Sequence, residues 1–228
     1  MAGGNTTNRS AATRNVAVWD LPTRLFHWGL VVLVTVAVVS AKLDRMEIHM
    51  LAGEAILALL LFRLVWGVIG SQTARFTDFV KGPRAVLDYA AGKAGGRPVL
   101  GHNPMGGLMV VVLLLVLLTQ AGSGLFTSDD ILVDGPLVPL AASSTVATLS
   151  SLHRLLSDGI LILAGVHVLA VLVYLLVKKE NLIRPMITGR KRIPAGARVA
   201  APKRAPAAVA LAILAAAAGL VAAVVQAG

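Results

Sequence analysis

The chain has 228 residues, 57% of them hydrophobic and only 14% charged, with a mean hydropathy of +0.80 and a net charge of +10. So little charged surface excludes an ordinary soluble domain and a disordered chain, and positive residues confined to linkers between long apolar runs argue against a nucleic-acid module. The absence of cysteine excludes disulfides, thiolate zinc sites, iron–sulfur clusters and covalent haem attachment, leaving five histidines as soft-metal or haem ligands.

Residues 1–24 form a polar leader carrying Arg9, Arg14 and Arg24. Five apolar stretches follow, each near the roughly 20 residues that cross a hydrocarbon core. They are Leu25–Ala41, His49–Gly70, Gly106–Phe126, Ser150–Val177 and Ala207–Gln226. The first ends in Val39-Ser40-Ala41, as a secretory signal does, but its polar leader is long for one, so it is expected to remain as a helix. In lipid all five must be helical, because no open strand satisfies its backbone there. The expected fold is therefore an all-α integral membrane bundle. Residues 25–192, holding spans one to four, form the working unit. Residues 193–206 read as a basic linker. Residues 207–228 read as an accessory helix, built almost wholly of Ala, Val and Leu.

Lysine and arginine give the orientation. The leader, the second linker and the linker after span four hold 17 of them, against Lys42 and Arg45 on the other side. The N-terminus is thus expected in the cytoplasm and the C-terminus outside. The outer linkers are acidic, with Asp44, Glu47, Asp129, Asp130 and Asp134. In the second linker, Lys81-Gly82-Pro83 and His102-Asn103-Pro104 are breakers. Arg75 to Tyr89 reads as a short interfacial helix with Phe76, Phe79 and Val80 toward lipid.

Four histidines fall at span ends. His27 lies near the inner start of span one and His49 near the outer start of span two. His153 and His167 share span four, 14 residues apart. On a helix that spacing is a rise of about 21 Å and a net turn of about 40°, so the two project from nearly one face at two depths. The arithmetic produces two cross-helix pairs, His49 with His153 and His27 with His167. Each pair suits a haem ligated on both sides, and two such haems would make an electron path across the bilayer. Four intramembrane ionisable residues in depth-matched pairs point to function.

Arg63 follows His49 by the same 14 residues and reaches the inner depth. It suits a propionate of the inner haem or, by snorkelling, the headgroups. Arg24, Arg154 and Lys42 are weaker candidates for such a role. Gly53, Gly106, Gly107, Gly122 and Gly124 leave room for a macrocycle or for close helix packing. Trp28 and Trp66 suit the interfacial belt. Asp158 pairs with Gln120 or Ser123, or relays a proton from a quinol beside the outer haem; Glu54 has similar standing. His102 caps span three, joins a loop network or serves a site.

The motif Val18-Trp19-Asp20-Leu21-Pro22-Thr23-Arg24-Leu25-Phe26-His27-Trp28 resembles the start of the first helix in prokaryotic cytochrome b561, the group that includes the b-type cytochrome subunits of nickel–iron hydrogenases. Leu61-Phe62-Arg63-Leu64-Val65-Trp66-Gly67, Gly101-His102-Asn103-Pro104 with Gly106-Gly107, Leu152-His153, Gly165-Val166-His167, and Asn181 through Lys191 continue the resemblance over about residues 16–192. It implies a four-helix core with two b-type haems in the bacterial cytoplasmic membrane, exchanging electrons with quinone. The ligands it implies are His27 and His167 for the inner iron and His49 and His153 for the outer.

Several functions remain open at this point. The first is a transmembrane electron carrier between quinone and an outer partner, which the acidic loops suggest is a basic protein such as a soluble cytochrome c. Another is a superoxide:quinone oxidoreductase using Lys42, Arg45 and Arg154. A third is a haem-bearing anchor for a hydrogenase-like dehydrogenase complex. A metal-ion transporter fits the two-depth pairing less well.

Overall fold

The computed structural model describes residues 13–93, 99–129, 133–197 and 199–228. Arg9, Arg97, Asp130 and Arg198, counted above in the charge pattern, lie outside the described residues.

Five helices are long and apolar enough to cross a membrane. The first, α1 (Leu21–Lys42), starts where Asp20 caps it: Thr23 N donates to Asp20 Oδ1 at 2.8 Å, with Pro22 in the first turn. This is the arrangement that satisfies an orphan N–H at a helix start. A three-residue turn, with Asp44 at φ 54°, leads to α2 (Met46–Ile69). Two short helices, α3 (Phe76–Phe79) and α4 (Pro83–Ala90), follow. Asn103 then caps α5 (Pro104–Gly124) through Gly106 N at 2.7 Å. The helix α6 (Ser143–Leu176) has 34 residues. At about 51 Å it is longer than a hydrocarbon core and begins seven residues before the expected span. The chain closes through α7 (Ile183–Thr188) and α8 (Ala207–Gln226).

Two features could not be read from hydropathy. The leader and the segment after α7 pair as an antiparallel ribbon, β1 (Thr13–Ala17) with β2 (Arg190–Pro194), in register Asn15↔Arg192. Gly189 makes the turn into β2 at φ 75°, and its carbonyl accepts from Val18 N and Trp19 N. A side chain there would be strained and would put a Cβ 2.7 Å from Trp19 O. Arg24 donates to the carbonyls of Met186 and Ile187, and Trp28 Nε1 to Met186 O at 3.3 Å. Both side chains therefore fasten α7 to α1. Arg24 is spent on this, and Trp28 has more to do than sit in a belt.

The second feature is α8. Sequence alone set it apart, yet it packs along α2, and Ala210 and Ala217 join one buried cluster with Ala52, Ile56, Leu60 and Trp66. Between helices in lipid, small residues allow the close approach that gives van der Waals attraction. The segment before α8 is also tied down: Gln72 N donates to Lys203 O, Lys203 N to Gln72 Oε1, and Ala205 N to Ser71 Oγ.

The helices thus alternate in direction between a ribbon end and a hairpin end, and Gly228 comes to lie against Pro136 at the hairpin end. Helix α1 packs on α2, α5 on α6 and α2 on α5, while α1 and α6 share little direct packing. Much of α6 is exposed, with Leu155, Ile162, Leu169 and Leu176 on its outer face.

Candidate functional site

The structure brings the four span histidines together in two pairs, one near each end of the bundle. The ring centroids of His49 (α2) and His153 (α6) are 6.0 Å apart, with the rings at 89°. Those of His27 (α1) and His167 (α6) are 6.5 Å apart, at 55°. A metal–imidazole bond is about 2 Å, and the ring centre lies about 1.1 Å behind its nitrogen, so two imidazoles trans on one iron have centroids about 6 Å apart. Both pairs sit at that separation. Among the described residues no group of three or more His, Cys, Asp or Glu is gathered for a metal ion. A donor set of two imidazoles suits an iron that brings its other four ligands in a porphyrin.

At the hairpin end the imidazoles are aimed. His49 Nδ1 donates to Ala37 O at 2.8 Å, a carbonyl of α1, which leaves Nε2 free to ligate. His153 Nδ1 donates likewise to Gln120 O at 3.0 Å, with Ser123 Oγ at 3.4 Å. In this tautomer His153 Nε2 accepts from Gln120 Nε2 at 3.2 Å. A bond at one ring nitrogen sets the proton's place and the direction of the other. Gln120 and Ser123 therefore serve His153, and the expected pairing of either with Asp158 is not what the fold makes.

Both rings line a cavity of about 430 Å³. Its walls are mostly apolar, with Val34, Ile56, Leu117 and Ile160 among them; Lys42, Glu54, Arg154 and Asp158 also line it. Gly53 faces open space, and a Cβ on Gly124 would come within 3.0 Å of the His153 ring. A flat, largely apolar group with charged edges fits such a slot.

The ribbon end is more crowded. Arg63 is 2% exposed and does not reach out to any headgroup layer. Its Nη2 donates to Ala74 O at 3.0 Å, and its guanidinium lies over Phe76 (5.0 Å) and Phe79 (5.8 Å). Phe76 is held close because Gly67 has no side chain: a Cβ there would collide with the Phe76 ring. Phe79 is 2% exposed and its ring packs 4.7 Å from His102. The expectation that Phe76 and Phe79 face lipid is thus corrected for Phe79, which the buried cation and the imidazole draw inward.

Sequence reasoning missed Asp20 as a site residue. Buried, it accepts from Thr23 N through Oδ1 and from Trp66 Nε1 through Oδ2 at 3.1 Å. Trp66 is fully buried, not part of an interfacial belt. The signal was available, since a Trp-Asp-Leu-Pro start carries a capping acid beside a proline. Its second partner, 46 residues on, was not.

His102 caps nothing, because Asn103 does that. It lies between Trp19 and Phe79, each at 4.7 Å. Burial pushes its pKa down to about 3, and the charges of Arg63, His167 and His27 add to this. It is therefore a neutral imidazole at physiological pH. Tyr174 near the end of α6 accepts from Asn103 Nδ2 at 2.9 Å and bonds Tyr89 at 2.7 Å, which joins α4, α5 and α6 at this end.

Buried polar side-chain atoms without a partner gather at the ribbon end, with one at the hairpin end. Among the described residues they are Thr23 Oγ1, His27 Nδ1, Arg63 Nη1, His102 Nδ1 and Gln120 Oε1. Each such atom costs about 1–3 kcal/mol when left unmet, so their gathering here marks places built for a further polar group.

A family model described as prokaryotic cytochrome b561 matches residues 18–189 of the chain. No curated protein and no solved structure matches it. The strand β2 and the helix α8 lie beyond the matched region.

Proposed function

Since the chain belongs to the prokaryotic cytochrome b561 family, and is thus a multi-pass b-type membrane cytochrome, we propose that it carries electrons between the quinone pool and a redox partner at the outer face of the bacterial cytoplasmic membrane. It does so with two haems b, one between His27 and His167 and one between His49 and His153. The observation that carries this reading is the pair of centroid separations, 6.5 and 6.0 Å, at two depths of one bundle. The ribbon end then faces the cytoplasm, in line with its excess of lysine and arginine.

Haem iron supplies a one-electron couple within the span. The protein's part is to orient and insulate. The bond from His49 to Ala37 orients a ring whose Nε2 is free to ligate, and the bond from His153 Nδ1 to Gln120 O orients a ring whose Nε2 would exchange its bond from Gln120 Nε2 for the iron. The apolar walls of the outer cavity hold out water and lower the local dielectric, which strengthens every charge placed at its edge. Arg63 offers Nη1 to a propionate at the inner site, and Lys42 and Arg154 line the outer cavity. The acidic outer loops favour a basic partner such as a soluble cytochrome c.

The test is the purified protein's spectrum, oxidised and reduced, with a haem-to-chain ratio. The expected result is a low-spin b-type spectrum and about two haems per chain. A colourless protein from haem-replete cells would overturn the reading.

A second reading, superoxide oxidation coupled to quinone reduction, would draw on Lys42 and Arg154, which line the outer cavity together with Glu54, Asp129 and Asp158. On this reading the two cations attract the superoxide anion against the pull of the three acids. Quinone-dependent superoxide consumption should then fall at least severalfold in Lys42→Gln with Arg154→Gln, and should weaken with salt. Absence of that consumption in the wild type would remove this reading.

A further inference from the structure

We propose that His102 is a second anchor, beside Arg63, for a carboxylate of the macrocycle held between His27 and His167. This rests on the reading that those two histidines hold a haem.

Three of the partnerless buried atoms, His27 Nδ1, Arg63 Nη1 and His102 Nδ1, belong to groups drawn together at the ribbon end. Arg63 and His102 both lie against the Phe79 ring. Arg63 has no carboxylate of its own to bind. Asp20 is close enough to feel its charge, but no hydrogen bond or ion pair joins the two, and the Asp20 oxygens accept instead from Thr23 N and Trp66 Nε1. A buried guanidinium with one nitrogen unmet therefore calls for an acceptor from outside the chain. His102 offers a matching donor. As a neutral imidazole it stands beside the guanidinium without repulsion, and with its proton on Nδ1 it presents one N–H. Its ring is wedged between Trp19 and Phe79 at tilts of 56° and 51°, so the donor's direction is fixed by packing.

A point charge and a neutral donor on one carboxylate stabilise its negative charge, which otherwise favours the oxidised iron. Losing the donor lowers the potential of that haem alone. The variants that separate donor from packing are His102→Phe, which keeps a ring between Trp19 and Phe79, and His102→Asn, whose amide nitrogen takes nearly the place of Nδ1. Each is purified as the full chain with its haems. Haem content, a redox titration resolving the two haems and the resonance Raman propionate-bending band are measured.

The expected result is that His102→Phe retains both haems, lowers the midpoint of the haem that His27→Ala removes, and shifts its propionate band. His102→Asn stays at wild-type values in both. Unchanged midpoints and bands in His102→Phe overturn the proposal, as does a shift confined to the other haem. If His102→Phe does not fold, His102→Leu takes its place with the same expected shifts against His102→Asn, and unchanged midpoint and band in it overturn the proposal. A wild type without haem at this pair overturns the underlying reading as well, and shows itself before any variant is made.

Discussion

Alanine at His49 or at His153 is expected to halve the haem content, and both variants lose the same spectral component. Alanine at His27 or at His167 removes the other component. The geometry gives the reason. On the proposed assignment each pair would hold one haem with two imidazoles, so losing one would leave a single protein ligand and a much weaker hold. The pairs are set at different depths, and α6 contributes to both, so a defect at one end leaves the other end's ring in place. The four single variants and the two same-pair double variants, compared by haemochrome content and reduced-minus-oxidised spectra, provide the check. Same-pair doubles should lose no more haem than either single, whereas His49→Ala with His27→Ala should lose about both haems. Should His49→Ala and His153→Ala remove different components, the pairing is wrong.

Asp20→Ala is expected to be the most damaging change outside the histidines, with a loss of about 2–4 kcal/mol in folding stability. It removes the cap of α1, worth about 1 kcal/mol. It also strands the indole N–H of the fully buried Trp66 and takes away the carboxylate whose charge Arg63 feels. Asp20→Asn separates these effects. Its oxygen can still cap Thr23 N, but its amide nitrogen cannot accept from Trp66 Nε1, so two donors face each other. Thermal unfolding in detergent should rank wild type above Asp20→Asn above Asp20→Ala. Equal stability of Asp20→Asn and wild type would mean that the Trp66 bond contributes nothing.

Much of the candidate site was readable because it obeys helical arithmetic. Fourteen residues are close to four turns, so His153 and His167 had to share a face of α6 whatever the helix packed against. The depths of His27 and His49 followed from where their spans begin. Arg63 was readable for the same reason. His102 was not: it lies in a linker, where no period relates a residue to the bundle, and its place was set by the rings of Trp19 and Phe79 from two other segments. Phe79 misled for a related reason. An apolar residue in an interfacial segment reads as lipid-facing, but a buried guanidinium attracts an aromatic face, and Arg63 is distant in sequence.

By itself, then, the sequence determined the five spans, the alternation of their directions and the depths of the four histidines, because in lipid the hydrogen bonds of a span are local and its length is set by the bilayer. Only the tertiary structure decided that α8 lies along α2, that the leader pairs with the segment after α7, and that Asp20 joins Trp66. Those contacts are made by small side chains, ribbon hydrogen bonds and single polar atoms. Such features have no period along the chain, and hydropathy does not register them.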